Sequence, residues 1–507
     1  MRGFRKIIAY DDLKRLVIDN GLCTLCGACE AACPTHAIRV EETPQRLYNC
    51  SENLDLCPIC YDICPHTDAL IREATRFVSD ALYRRESLGY YRKILLAQAT
   101  SPTIRGLTRS AGVVNALLSF ALDRKIIDSA VIARKSPRLI LKLQPSIGLV
   151  PDDMLSAVDS KVVPCAVAEA FGRAVYEYGR HKIAFVGIPC HILALRKLEA
   201  WQHKIIDNLS ITIGLFCLWT FSLGVLSEYL LHNYGIAPSE IVSIDLALED
   251  YVVTTLDNRV LRLPLYEVKN HIMNSCRTCM DYTAEFADLS IGGGAPLKGW
   301  SMVIVRTQRS EEFLEKAVNS GVIRVMDVDA EPETLARVIH LATRKKESAL
   351  KDMEDMRSKG LPIPMGAEAL AKPSINELTK LESIRVEEVM TREVLTLPSK
   401  ATVSDFFDEV VRCHHIGFPV RSPNGEIIGV VTLQDAMKVP PDRRKNTLIE
   451  DVCSKTVIAI SPHASLAEAF DKMTKHDIGR LLVMDRDNHL VGIITRSDVM
   501  NALRRTI

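Results

Sequence analysis

The sequence predicts a multidomain α/β protein in three parts. Residues 1–85 are rich in cysteine and punctuated by proline. From about 90 to 340, apolar strand-like runs alternate with amphipathic helices, the pattern of an α/β core with a largely parallel sheet. After residue 385 the sequence repeats itself, the mark of a duplicated α+β module. At 507 residues the chain is too long for one hydrophobic core and fits about three or four domains.

Composition narrows the function. With 63 basic and 63 acidic side chains, no net field steers the chain onto nucleic acid or an anionic membrane. The N-terminus, MRGFRKIIAYDD, has no apolar run behind its basic residues and does not read as a signal peptide. The longest apolar stretch, near 213–226, is shorter than the roughly 20 residues a membrane helix needs. A cytoplasmic protein with no membrane span and no nucleic-acid partner is expected. There the 15 cysteines stay reduced, which favours metal or redox chemistry over a disulfide scaffold.

The first part carries Cys23-x-x-Cys26-x-x-Cys29-x-x-x-Cys33-Pro34. This spacing wraps three thiolates round one 4Fe–4S cube and sends the fourth to a neighbouring cluster. A second run, Cys57-x-x-Cys60-x-x-x-Cys64-Pro65, has Leu54 where its first cysteine is expected, and Cys50 replaces it if residues 51–54 bulge out. The crossed rule then assigns Cys23, Cys26, Cys29 and Cys64 to one cluster and Cys33, Cys50, Cys57 and Cys60 to the other. Paired CxxC motifs also hold zinc, but the first run has one cysteine too many for that.

In the core, residues 130–133, 183–187 and 211–215 read as strands, and 111–124 and 166–178 as helices. A charged helix over about 331–359 and a linker at 360–366 follow. Cys190 and Cys217 each stand just past a strand's C-terminal end, the edge where ligands gather on a parallel sheet. Cys190 also opens a helix, whose dipole favours a thiolate. With the Cys276/Cys279 pair they supply four ligands for a third cluster, although a buried thiol needs no ligand to explain it.

These residues resemble a known family, the beta subunits of coenzyme F₄₂₀-reducing hydrogenase, together with F₄₂₀H₂ dehydrogenases and F₄₂₀-linked formate dehydrogenase beta subunits. The resemblance covers about residues 15–340. It rests on the first cysteine run, GIPCHILALR (187–196), GLFC (214–217), CRTCMDYTAEFADLSIGG (276–293) and GWSMVIVR (299–306). It implies FAD and electron passage between 4Fe–4S clusters and the deazaflavin coenzyme F₄₂₀, with Ser110, Gly112, Ser160, Lys161, Gly292 and Gly293 as flavin candidates. Each of these has a plainer reading: Ser110 as a helix cap, Lys161 as a solvated charge. His191 stands where the family usually has glutamine, and Ala111-Gly112 where it usually has Gly-Gly. No GxGxxG follows a strand, so no Rossmann dinucleotide site is expected. Clusters exchange single electrons whereas deazaflavin takes a hydride, and a flavin converts between the two.

In the tail, Gly429-Val-Val-Thr432-Leu-Gln-Asp435 recurs as Gly492-Ile-Ile-Thr495-Arg-Ser-Asp498, an offset of 495 − 432 = 63. This unit resembles the CBS domain, whose pairs bind adenosine nucleotides. The resemblance makes Thr432, Asp435, Thr495 and Asp498 the contacts to phosphate and ribose, with Arg480 a further phosphate candidate. Thr-x-x-Asp ahead of a helix is also a capping box that needs no ligand. The expected domains are a ferredoxin-type 4Fe–4S segment (1–85), a beta-subunit-like core (86–345), a helical, proline-containing linker (346–384), and CBS domains at 385–440 and 448–507. The expected partners are a soluble electron carrier (coenzyme F₄₂₀ or ferredoxin), hydrogenase or dehydrogenase subunits, and a second copy through the CBS pair. Two rival functions stay open: a ferredoxin-dependent reductase of another organic substrate, and a non-catalytic redox and adenylate sensor.

Overall fold

A computed structural model describes residues 9–50, 57–78, 83–85, 87–107, 111–136, 142–157, 163–247, 250–292, 297, 299–371, 384–413, 417–432, 435–436, 438–476, 478, 480–495, 498–499 and 502. The chain divides into two compact units, a core of residues 9–48 and 58–371 and a second unit that contains the tail.

The core is built on eight strands: β1 (Lys93–Ala99), β2 (Ser129–Lys135), β3 (Leu143–Gly148), β4 (Ile183–Gly187), β5 (Leu209–Leu215), β6 (Leu289–Gly292), β7 (Ser301–Val305) and β8 (Ile323–Asp327). Their spatial order is β8-β1-β7-β6-β5-β4-β2-β3. The helices that matter are α1 (Val113–Asp123), α2 (Val167–Tyr176), α3 (Pro189–Trp201), α4 (Leu223–Tyr234), α5 (Gln308–Asn319) and α6 (Pro332–Ser358). β2, β4, β5 and β6 run parallel, and every residue of β4 is buried, as a strand covered on both faces requires.

The expectation of a largely parallel sheet is corrected: both flanks are antiparallel, β3 against β2 and β7, β1 and β8 in succession beyond β6. For β3 and β7 the reason is connection length. Only residues 136–142 join β2 to β3, and only 293–300 join β6 to β7. A parallel neighbour needs a crossover of about a dozen residues or more.

Strand alternation divides the core between the two faces. Leu95, Ala97, Val303 and Val305 pack with α1 and α5, whereas Leu96, Met302 and Ile304 pack with α4 and α6. α6 runs unbroken past residue 345, where the sequence reading placed a domain boundary. Its buried stripe continues from Val338 through Ala349 to Met356.

In the tail, equivalent strands and helices start 63 residues apart: Gly417–Arg421 with Arg480–Met484, Ile427–Thr432 with Leu490–Thr495, and Val403–Cys413 with Leu466–Lys475. The two packed halves are not the two sequence copies, however. Val386 and Met390 pack with Leu466, Leu481 and Ile494, while Ile449 and Cys453 pack with Val403, Phe418 and Val431. Bridges Arg385↔Ser465 and Thr402↔Leu448 tie down this exchange. Each copy's leading segment completes the other's core, so neither copy buries its apolar face alone.

Candidate iron–sulfur centres

Cys23, Cys26, Cys29 and Cys64 line one pocket, with Leu13, Val17, Leu25, Gly27 and His66 among its other walls. The loop that presents the first three turns twice through left-handed backbone, at Leu25 (φ +56°) and Gly27 (φ +84°). It is anchored where the Ala168 N–H, at the start of α2, donates to the Cys26 carbonyl at 3.0 Å. Burial, and next the Cys64 thiol, push Cys26 up to about 12. Burial also raises Cys23, Cys29 and Cys64. Four sulfurs that line one pocket ionise together only with a cation among them, so this donor set fits a metal cluster.

The second set gathers at the C-terminal edge of the parallel strands. Cys190 follows β4 at the start of α3, Cys217 follows β5, and Cys276 lies on the short helix Asn274–Arg277 with Cys279 just beyond. Two loops are zipped together by the Cys217 N–H to the Tyr282 carbonyl (2.9 Å) and the Met273 N–H to the Thr220 carbonyl (2.8 Å). Burial raises Cys190, and the charges acting on it are those of Cys26, Cys217, Cys276 and Cys279. The core set therefore adjoins the ferredoxin-type segment through Cys26. Within that segment, Cys60 is among the charges acting on Cys29.

α3 ties these parts together. Arg196, fully buried, reaches Asp288 at 3.1 Å, donates to the Phe286 carbonyl at 2.7 Å and pairs with Glu199. Asp288, also fully buried, accepts from the Thr212 hydroxyl on β5 (2.7 Å) and from Arg309 on α5 (2.6 Å). One residue on from Arg196, Lys197 donates to the carbonyls of Cys64 (2.5 Å) and Thr67 (2.8 Å), and burial lowers its pKa to about 8. Sequence reasoning missed Lys197, Asp288 and a third buried charge, Lys345. The signal for Lys345 was its place in the apolar stripe of α6.

Of the remaining sequence candidates, Cys33 accepts from the Ala37 N–H (3.2 Å), while Cys50 and Cys57 belong to the other compact unit. The set Cys33, Cys50, Cys57 and Cys60 therefore stands on its spacing alone. Ser110, Ser160, Lys161 and Gly293 lie outside the described residues. Gly112 caps α1 at φ +69°, where a Cβ would meet the Ile104 side chain at 2.8 Å, and a Cβ at Gly292 would strike the Phe216 ring. Packing thus accounts for both glycines. His191 is buried. In the tail, the Thr432 and Thr495 hydroxyls donate to Asp435 (2.7 Å) and Asp498 (2.8 Å), and the Asp435 and Asp498 N–H groups donate back at 3.4 and 3.3 Å. Both are capping pairs. The Arg480 guanidinium donates to the Gly417 carbonyl at 2.9 Å, across the two copies.

Among the described residues no helix is long and apolar enough to cross a membrane. Residues 180–331 match the C terminus of the coenzyme F₄₂₀ hydrogenase/dehydrogenase beta subunit, and residues 94–171 match its N-terminal part. Residues 16–39 match a 4Fe–4S binding domain, and 386–442 and 449–505 match CBS domains. The chain is 30% identical over 280 residues to the coenzyme F₄₂₀ hydrogenase beta subunit of Methanothermobacter thermautotrophicus, covering 55% of this chain and 99% of the relative. It is 28% identical over 315 residues to one of the subunits of F₄₂₀H₂ dehydrogenase from Methanosarcina mazei, 59% of this chain and 83% of the relative. A chain of the F₄₂₀-reducing NiFe hydrogenase complex from Methanosarcina barkeri shares the fold: TM-score 0.52 at 23% identity, over 56% of this chain and 98% of that one.

Fold, thiol sets and matches define an oxidoreductase with a 4Fe–4S binding motif and a CBS pair. The chain belongs to the family of coenzyme F₄₂₀ hydrogenase/dehydrogenase beta subunits.

Proposed function

We propose that this chain carries electrons between 4Fe–4S clusters and coenzyme F₄₂₀ by way of a bound FAD, under the control of an adenosine nucleotide on its CBS pair. One observation carries the reading: Cys190, Cys217, Cys276 and Cys279 meet at the ligand-binding edge of the sheet, with Cys26 of the neighbouring set beside them. That juxtaposition supports a relay between the set Cys23, Cys26, Cys29 and Cys64 and the core set. The case for flavin is chemical, since it supplies the exchange between single electrons and a hydride. The protein's own part is to hold the thiolates at fixed separations, to exclude water from them, and to place buried cations against their backbone. Family relatives named as hydrogenase and dehydrogenase subunits support a partner subunit that donates or accepts the electrons. A reducing cytoplasm suits thiols that serve as cluster ligands.

The test is anaerobic purification, with iron, sulfide and flavin analysis followed by titration with reduced coenzyme F₄₂₀. About twelve irons in three 4Fe–4S clusters with one FAD, all bleaching together, is the expected outcome. About eight irons and no flavin would overturn it in favour of a redox and adenylate sensor. Intact flavin that F₄₂₀ leaves oxidised but reduced ferredoxin bleaches would move the assignment to a ferredoxin-dependent reductase.

A further inference from the structure

α6 turns a stripe of Val338, Leu341, Ala342, Ala349, Met353 and Met356 into the core, and Lys345 occupies one place in that stripe, 3% exposed. Its ammonium donates to the Cys217 carbonyl at 2.8 Å and the Asp281 carbonyl at 2.6 Å. These carbonyls belong to the two loops that bring Cys217 and Cys279 to the core set. Carbonyls hold an ammonium in place without cancelling its charge. The negative groups that face it are Cys279, Cys217 and Cys276, and then Asp281. Three sulfurs thus stand against a single Asp281 carboxylate, whose Oδ2 also accepts from the Glu285 N–H at 2.8 Å. Ion pairs on the same helix, Lys346 to Glu285 and Asp352 to Lys269, both at 2.7 Å, fix the register that aims Lys345.

Lys197 makes a similar contact at Cys64 but has the carboxylates of Asp62, Asp68 and Glu73 around it. Its field is shared, whereas that of Lys345 falls mainly on sulfur. Lys345 also lies beyond residues 180–331, the span matched by the family's C-terminal part.

We infer that Lys345 is the fixed countercharge of a 4Fe–4S cluster on Cys190, Cys217, Cys276 and Cys279, and that it raises the reduction potential of that cluster. The inference rests on reading those four cysteines as ligands. A cluster held by four thiolates is anionic and becomes more so on reduction, so a buried cation beside it favours the reduced state. One electron enters as one leaves the neighbouring cluster on Cys23, Cys26, Cys29 and Cys64. No bond to the protein changes, and the lysine keeps its proton in both states.

The experiment is a redox titration followed by electron paramagnetic resonance on the anaerobically purified full chain. Cys190→Ala, which should lose one cluster's iron, identifies the core signal. Lys345→Met should keep its iron while the reduced-to-oxidised ratio of the core cluster at fixed poise falls about tenfold, about 59 mV for a one-electron couple. Lys345→Arg should titrate like the parent. If Lys345→Met loses iron, Lys345→Gln, which still donates to the carbonyls, should show the same shift. An unmoved couple in an iron-replete neutral variant overturns the inference, as does a Lys345→Arg couple that falls as far. Full iron in Cys190→Ala overturns the cluster reading itself, and that failure is distinct from the other two.

Discussion

Cys23, Cys26 and Cys29 reach their pocket from a single seven-residue stretch, whereas Cys190, Cys217, Cys276 and Cys279 arrive from loops spread over almost ninety residues. The first set owes its shape to local backbone, two left-handed turns at Leu25 and Gly27. The second has no such local template. Its geometry is imposed by the sheet edge and by a buried charge network, in which Asp288 clamps β5 through Thr212, α3 through Arg196 and α5 through Arg309. The proposed cluster chemistry is thus specified once by spacing and once by tertiary structure, and the two should fail differently.

The largest separation is expected from Asp288→Asn. It leaves the fully buried Arg196 short of a counterion, a loss of about 3–5 kcal/mol, and it loosens the core set while the ferredoxin-type loop keeps its own turns. Denaturant unfolding should show the loss, and iron analysis should show the core cluster leaving first. Burial alone would raise the Asp288 carboxyl, but Arg196 and then Arg309 more than offset it and hold the carboxyl well below the usual range. A depressed carboxylate adds stability above its unfolded pKa of about 3.9. That stability is lost as pH falls toward the folded value, so parent and variant should converge in acid and differ by a constant amount above about pH 5. Parallel curves down to pH 2, or equal loss of iron from both sets, would break the contrast.

This difference also explains what could be read in advance. The Cys23–Cys29 spacing states its chemistry outright, because three ligands and their loop are contiguous. Cys190 and Cys217 were legible as strand-end thiols, since β4 and β5 are mainly apolar runs with the cysteines just beyond. The antiparallel flanks were not legible: residues 136–142 and 293–300 look like any loop, and strand direction follows from their length only once the strands pair. Asp288 and Arg196 read as ordinary charges within family motifs until the fold set them 3.1 Å apart. Lys345 could have been noticed as a charge at an apolar helical position, but only the fold brings three thiols round it. In the tail, a 63-residue repeat foretold the copies but not the exchange of their leading segments, which depends on long-range pairing such as Arg385↔Ser465.

Gly27→Ala tests the local side of the contrast. At φ +84° the backbone is left-handed, and a Cβ would sit 2.7 Å from the Glu169 N atom and 3.0 Å from the Ala166 carbonyl oxygen. The strain should cost roughly 1–3 kcal/mol and fall on the loop between Cys26 and Cys29. Resonance spectra and iron counts should show the first set depleted and the core signal intact. A core signal lost in step would mean that the segment and the core fold as one, and that the first set is less self-contained than its spacing suggests.

The smallest effects are expected in the tail, where both members of each capping pair are local. Asp435→Ala and Asp498→Ala should each destabilise by about 1 kcal/mol, and to nearly the same extent, because Thr432–Asp435 and Thr495–Asp498 make the same hydrogen bonds 63 residues apart and the added ion pair from Asp435 to Lys438 is exposed. Unequal losses would show that tertiary surroundings govern even this local motif. The double variant also tests the proposed nucleotide site. Adenosine nucleotides should raise the parent's melting temperature and leave the double variant unmoved after its baseline drop is subtracted. A rise that survives would make these carboxylates helix caps alone, with any nucleotide held by other residues of the CBS pair.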